Sequence, residues 1–153
     1  MRWSILTIAS VLALAYVMNF SGQTVAMGTF LAGLGPVYAI LAPALGWIGT
    51  AVTGSDTSAN ALFSKLQVSA AENLHQAGIS GATPELLLAA NTTGGVVGKM
   101  ISPQSLAIAA TSVDMEGKES DILKAVVPWS FAMLVVVCIL VFLQTNVLSF
   151  LIP

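Results

Sequence analysis

Two polar, glycine-containing stretches interrupt otherwise apolar, membrane-length sequence: TGSDTSANALF at residues 53–63 and AANTTGGVVGKMISPQS at residues 89–105. Irregular or charged backbone at bilayer depth is stable only where surrounding protein or a water-filled cavity satisfies it. A chain of this kind is constrained to fold as helices broken at set points, and the breaks mark a path for a polar solute.

Composition places the breaks in a membrane. Hydrophobic residues make up 56% of the chain, charged residues only 8%, and the mean hydropathy is +0.89. Soluble domains carry about 25% charged residues. The chain therefore reads as an all-α integral membrane protein, with transmembrane helices and broken or re-entrant helical segments. A formal net charge of −2 with five Lys and Arg leaves no basic footprint for nucleic acid. The single cysteine, Cys138, lies in the apolar run VVVCILVF and is expected to behave as a small buried hydrophobe.

The first span is expected at residues 3–20, about 27 Å of helix against a hydrocarbon thickness of about 30 Å. A signal peptide is the rival reading, since Arg2 gives a basic start and Ala13-Leu14-Ala15 fits a loose cleavage pattern, but the apolar run continues past that point. Residues 24–52 form a longer apolar region interrupted at Gly35-Pro36 and Pro43, predicting one kinked span or two shorter pieces. Its small residues Gly28, Ala32, Gly33, Gly46 and Gly49 would permit close helix packing. Residues 53–64 read as a re-entrant or broken piece. Residues 65–85 turn polar and read as a short amphipathic helix and a loop, with His75 an exposed loop residue. The region 85–113 is expected to be broken, both at Thr92-Thr93-Gly94-Gly95 and between Gly98 and Pro103. DMEGKESD reads as a solvated connector to a last span at residues 123–150, with Trp129 near an interface and Pro153 closing the chain. So few basic residues fix no orientation.

In the first broken segment, Ser55, Asp56, Thr57, Ser58 and Asn60 crowd one turn. Asp56, if buried beside a cavity, has the chemistry to take up and release a proton; the same residue types also suit a helix N-cap, and the two roles are compatible. In the second, Asn91, Thr92 and Thr93 supply donors and acceptors, while Gly94 and Gly95 would let the backbone turn and approach a ligand. Lys99 beside the N–H groups of broken helices would suit a carboxylate, with snorkelling or pairing to Asp56 as structural alternatives. Ser102, Gln104 and Ser105 surround the Pro103 break, where local capping is the simpler reading.

Other motifs fail on inspection. GGVVGKM is near a phosphate-loop pattern, but its first glycine position falls on Thr93 and Met100 stands where Ser or Thr is needed. The glycosylation-type matches at Asn19 and Asn91 lie in or beside membrane segments. No paired histidines, cysteine cluster or Ser-His-acid set points to a metal, a cofactor or an enzyme.

TGSDTSANALFSKLQ, LLLAANTTGGVVGKMISPQS, GKESD, YVMNFSG and the terminal Ile-Pro, which together recur across nearly all of the chain, resemble the C-terminal region of the bacterial L-lactate permease family. The resemblance implies a plasma-membrane symporter that moves L-lactate and related 2-hydroxy acids such as glycolate with protons. It also implies likeness to a superfamily of two inverted repeats, each with a re-entrant hairpin and a broken helix around a midplane site. Asp56 would couple protons. Substrate would meet Ser55, Thr57, Ser58, Asn60, Asn91, Thr92, Thr93, Gly94, Gly95, Lys99, Ser102 and Gln104. Family members are much longer, so this chain would supply about half the site and an N-terminal half the rest. Beginning at Met1, it reads as a split-gene product, a truncated frame or a fragment, and the alternative function is a non-transporting membrane fragment or accessory subunit.

Overall fold

The computed structural model describes residues 2–148; Met1 and residues 149–153, with the terminal Ile152 and Pro153, lie outside the described residues. Seven helices follow in order: α1 (Arg2–Phe20), α2 (Gln23–Ala32), α3 (Tyr38–Thr53), α4 (Asp56–Gln76), α5 (Pro84–Gly98), α6 (Pro103–Ser112) and α7 (Glu119–Asn146). Two stretches are long and apolar enough to cross a membrane, Gly35–Thr53 and Glu119–Asn146. A third is reached if α1 and α2, bent by 72° between Phe20 and Gln23, make one span. The bend sits at Gly22, whose φ of +75° is open to glycine at little cost.

The centre of the molecule is the packing of α3, α4 and α5. Inside a bilayer, helices gain little from the hydrophobic effect on meeting, so close van der Waals contact between small residues holds them. Glycines make that contact here. A Cβ at Gly46 would strike the Asn91 backbone carbonyl, one at Gly94 the Pro43 carbonyl, and one at Gly98 the Trp47 carbonyl. Gly94 and Gly98 are one turn apart on α5, so one face of that helix lies directly against the backbone of α3. The core around this seam is small-residue rich: Ala39, Ala42, Ala70, Ala71 and Ala90 are buried beside Leu66, Leu74 and Leu87.

Helix α7 is fastened to this unit by side chains as well as contact. Trp47 Nε1 donates to Ser130 Oγ at 2.9 Å, and Ser130 Oγ donates to the Val97 carbonyl at 3.0 Å, tying α3, α7 and α5 together at one point. Near the other end of α7, the backbone at Gly81 lies against the Thr145 carbonyl with no room for a Cβ. Phe20, Phe30, Val52 and Trp129 point outward and are at least 70% exposed, a surface suited to hydrocarbon rather than water.

Two expectations change. The polar region after residue 64 is the second half of α4, a single 21-residue helix, because Leu66, Ala70, Ala71 and Leu74 bury one face while Lys65, Glu72 and His75 stay exposed. Helix α5 runs unbroken through Thr92-Thr93-Gly94-Gly95, because the glycines are taken up by the seam with α3. Pro43 likewise stays inside α3.

Candidate functional site

Two helix breaks meet. At the first, Gly54 adopts φ +72° and its N–H donates to the Thr50 carbonyl at 2.8 Å, ending α3. Ser55 is extended, and its hydroxyl accepts from the Ser58 N–H at 3.3 Å, starting α4. At the second, Lys99–Ile101 tightens into a 3-10 turn, and extended Ser102 accepts from the Ser105 N–H at 3.3 Å to cap α6, which Pro103 opens. Gln104 brings the breaks together: a Cβ on Gly54 would stand 3.1 Å from Gln104 Oε1 and 3.4 Å from its Cβ.

Beside the first break lies Asp56, half-buried in the opening turn of α4. One carboxylate oxygen faces Thr50 Oγ1 at 3.4 Å and the other accepts from Asn60 Nδ2 at 3.2 Å. Gly95 makes the space, because a Cβ there would collide with Asp56 Oδ1 and stand 2.7 Å from Thr50 Oγ1. The ion pair present among the described residues joins Lys124 and Asp121 at 3.6 Å, far along the chain, and Asp56 has none.

The hydrogen bonds continue inward. Asn91 Nδ2 donates to Asn60 Oδ1 at 2.7 Å, Gln67 Nε2 donates to Asn91 Oδ1 at 3.2 Å, and Tyr38 OH donates to Gln67 Oε1 at 2.7 Å. Five side chains from three helices thus form one line ending on the Asp56 carboxylate. Tyr38, Gln67 and Asn91 are each fully buried. Tyr38, Thr50 and Gln67 were not among the sequence candidates. Asp56, Asn60 and Gln67 stand at i, i+4 and i+11, within about 40° on one helix face, a spacing that could have found Gln67.

The remaining candidates divide. Asn91 and Asn60 join the line, and exposed Thr92 places its Oγ1 3.2 Å from Asn60 Oδ1 and 3.1 Å from the Leu88 carbonyl. Thr93 is exposed and donates to the Ala89 carbonyl of its own helix at 2.8 Å. Gly94 and Gly95 serve helix and carboxylate packing, so their backbone is not presented to a ligand. Ser55, Thr57 and Ser58 line a cleft of about 250 Å³ with Val11 and Leu12 of α1 and Ala61 of α4. Lys99 is exposed, Gln104 is exposed against Gly54, and Ser102 is fully buried with its hydroxyl donating to the Lys99 carbonyl at 3.0 Å. The arrangement offers one carboxylate in a polar line, a hydroxyl-lined cleft and, at the second break, an exposed ammonium with no ion-pair partner among the described residues.

Residues 1–148 match the model of the L-lactate permease family. The chain is similar to an L-lactate permease of Bacillus subtilis (strain 168), 47% identical over 153 residues, covering 100% of this chain and 26% of that protein. It is 46% identical to an L-lactate permease of Escherichia coli (strain K12) and 43% identical to the glycolate permease GlcA of the same strain, each over 97% of this chain and 26% of the relative. The chain thus spans about a quarter of the length of these relatives. No solved structure matches it.

Proposed function

Because the chain belongs to the L-lactate permease family, we infer that it is the C-terminal part of a secondary transporter carrying L-lactate and related 2-hydroxy monocarboxylates such as glycolate across the bacterial plasma membrane by proton symport. The observation that carries this reading is the meeting of two helix breaks at Gly54 and Gln104 beside the carboxylate of Asp56. Helix breaks of this kind expose backbone N–H groups that favour an anion, and a nearby carboxylate without a fixed cation can exchange a proton as the anion moves.

Asp56 is the proton-coupling residue in this scheme. Lys99 contacts the substrate carboxylate with Thr92, and the hydroxyls of Ser55, Thr57 and Ser58 with Ser102 and Gln104 complete the polar lining. Asn91 acts indirectly, since it is fully buried and bonded to Gln67 and Asn60. The chain represents one of two inverted repeats, and the other half of the site comes from an N-terminal part.

The second reading is a membrane fragment or accessory subunit that transports nothing. Proton-driven uptake of labelled L-lactate separates the two. Vesicles holding this chain together with the N-terminal three quarters of the Bacillus subtilis relative are expected to accumulate lactate. Uptake in neither this mixture nor the single chain, with both polypeptides inserted, would overturn the transport reading.

A further inference from the structure

We propose that Gln67, held by Tyr38, is a positioning residue for Asp56, acting through Asn91 and Asn60; this rests on the transport role given to Asp56 above. The sense of the hydrogen-bonded line is fixed from both ends. Gln67 Nε2 lies 3.3 Å from the Ala42 carbonyl, which can only accept, so the amide nitrogen must lie on that side and the oxygen must face Tyr38. The second proton on the same nitrogen then goes to Asn91 Oδ1, which turns the Asn91 nitrogen toward Asn60 Oδ1. The Asn60 nitrogen is left facing Asp56, an acceptor-only group when ionised. A reversed amide anywhere in the line would set two donors or two acceptors against each other.

A carboxamide nitrogen keeps its protons near neutral pH, so the line cannot conduct a proton. It aims the carboxylate instead. Unpaired polar groups are costly in a membrane interior, and a buried amide at position 67 is stable there only because each of its groups is matched. An apolar residue would fill the same volume with no such requirement. The groups facing Asp56 are Thr50 on α3, Asn60 on α4 and the backbone of Gly95 on α5, packed directly against the carboxylate, so the amide line is the route by which a residue three turns away reaches the carboxylate.

The test uses Gln67→Met, which keeps length and apolar packing but removes the amide, and Tyr38→Phe, which removes only the hydroxyl. Both are placed in this chain, paired with the N-terminal part of the Bacillus subtilis relative, and measured for proton-driven lactate accumulation and for lactate exchange. Gln67→Met is expected to lower accumulation about tenfold, the loss expected once Asn60 no longer holds the charged Asp56 carboxylate, with exchange retained. Tyr38→Phe should show the same split more weakly. Equal loss of accumulation and exchange would overturn the proposal. Infrared difference spectra give a readout independent of transport: the carboxylate band that disappears in Asp56→Asn should shift in Gln67→Met and in Tyr38→Phe. An unmoved band overturns positioning even if Asp56 drives transport. A shifted band, with accumulation intact in Asp56→Asn, would sustain positioning and sink the proton-coupling role alone.

Discussion

Gly46 and Gly95 both sit in tight contacts, yet alanine should affect them in different ways. At Gly95 the added Cβ meets the ends of side chains: Asp56 Oδ1, Thr50 Oγ1 at 2.7 Å and Asp56 Cγ at 3.2 Å. The carboxylate can rotate away while the helices stay in place. What is lost is its hydrogen bonding to Thr50 and Asn60, long at 3.4 and 3.2 Å and therefore near the low end of the roughly 1.5–3 kcal/mol for bonds to a charged group. Alanine in a helix interior returns about 0.5–1 kcal/mol relative to glycine. The net cost to folding is therefore about 2 kcal/mol. At Gly46 the Cβ meets the backbone of Asn91, with Asn91 Cα at 3.0 Å and its carbonyl closer still, so the seam between α3 and α5 must open. Overpacking of that kind costs about 1–3 kcal/mol, and moving Asn91 leaves buried amides unpaired at about 1–3 kcal/mol more. Thermal unfolding in detergent and proton-driven uptake, measured on both variants, separate the effects. Gly95→Ala should unfold nearer the parent temperature than Gly46→Ala but still lose accumulation, and Gly46→Ala should lose both. Parental accumulation by Gly95→Ala would refute the need for a carboxylate held in this position. Parental stability of Gly46→Ala would refute the backbone seam.

Replacing Asp56 with Asn should abolish proton-driven accumulation while exchange of lactate persists in part; unchanged accumulation in vesicles removes Asp56 from coupling. Lys99→Ala should weaken lactate binding in the assembled transporter, read as a raised half-saturating concentration, and an unaltered value would leave the lysine as a snorkelling cation. Ser130→Ala removes the group between Trp47 Nε1 and the Val97 carbonyl. It should lower stability by about 1–3 kcal/mol without changing substrate affinity, and a variant as stable as the parent in a denaturation titration would discount that junction.

The helix breaks were legible because their causes are local. Gly54 followed by Ser55, and Ser102 followed by Pro103, carry the residue types that end one helix and cap the next, and both sites behave so. Asp56 also stood out, as an acid in apolar surroundings. Thr92-Thr93-Gly94-Gly95 misled for the opposite reason. A glycine pair looks like a turn until the carbonyl of Pro43 is brought against it, and that contact comes from a residue a third of the chain away. The second half of α4 was hidden by its composition, since Lys65, Glu72 and His75 colour a segment whose other face is buried alanine and leucine. Tyr38 was invisible because it looks ordinary alone, and Gln67 offered only its place on the Asp56 and Asn60 face of α4; only the fold shows that one bonds the other.

Ser130 bears on how the chain is made. Synthesis proceeds from the N-terminus, so α3, α4 and α5 reach the bilayer before residue 130 exists. The glycine seam asks nothing of α7 and can close early. The indole of Trp47 and the carbonyl of Val97, by contrast, wait for a hydroxyl that arrives about thirty residues after α5 ends. During that interval a quality-control protease or chaperone would find an assembled trio with one polar junction still open. Docking of α7 is then the last of these contacts to close, and loss of the Ser130 hydroxyl is expected to appear as lowered protein abundance.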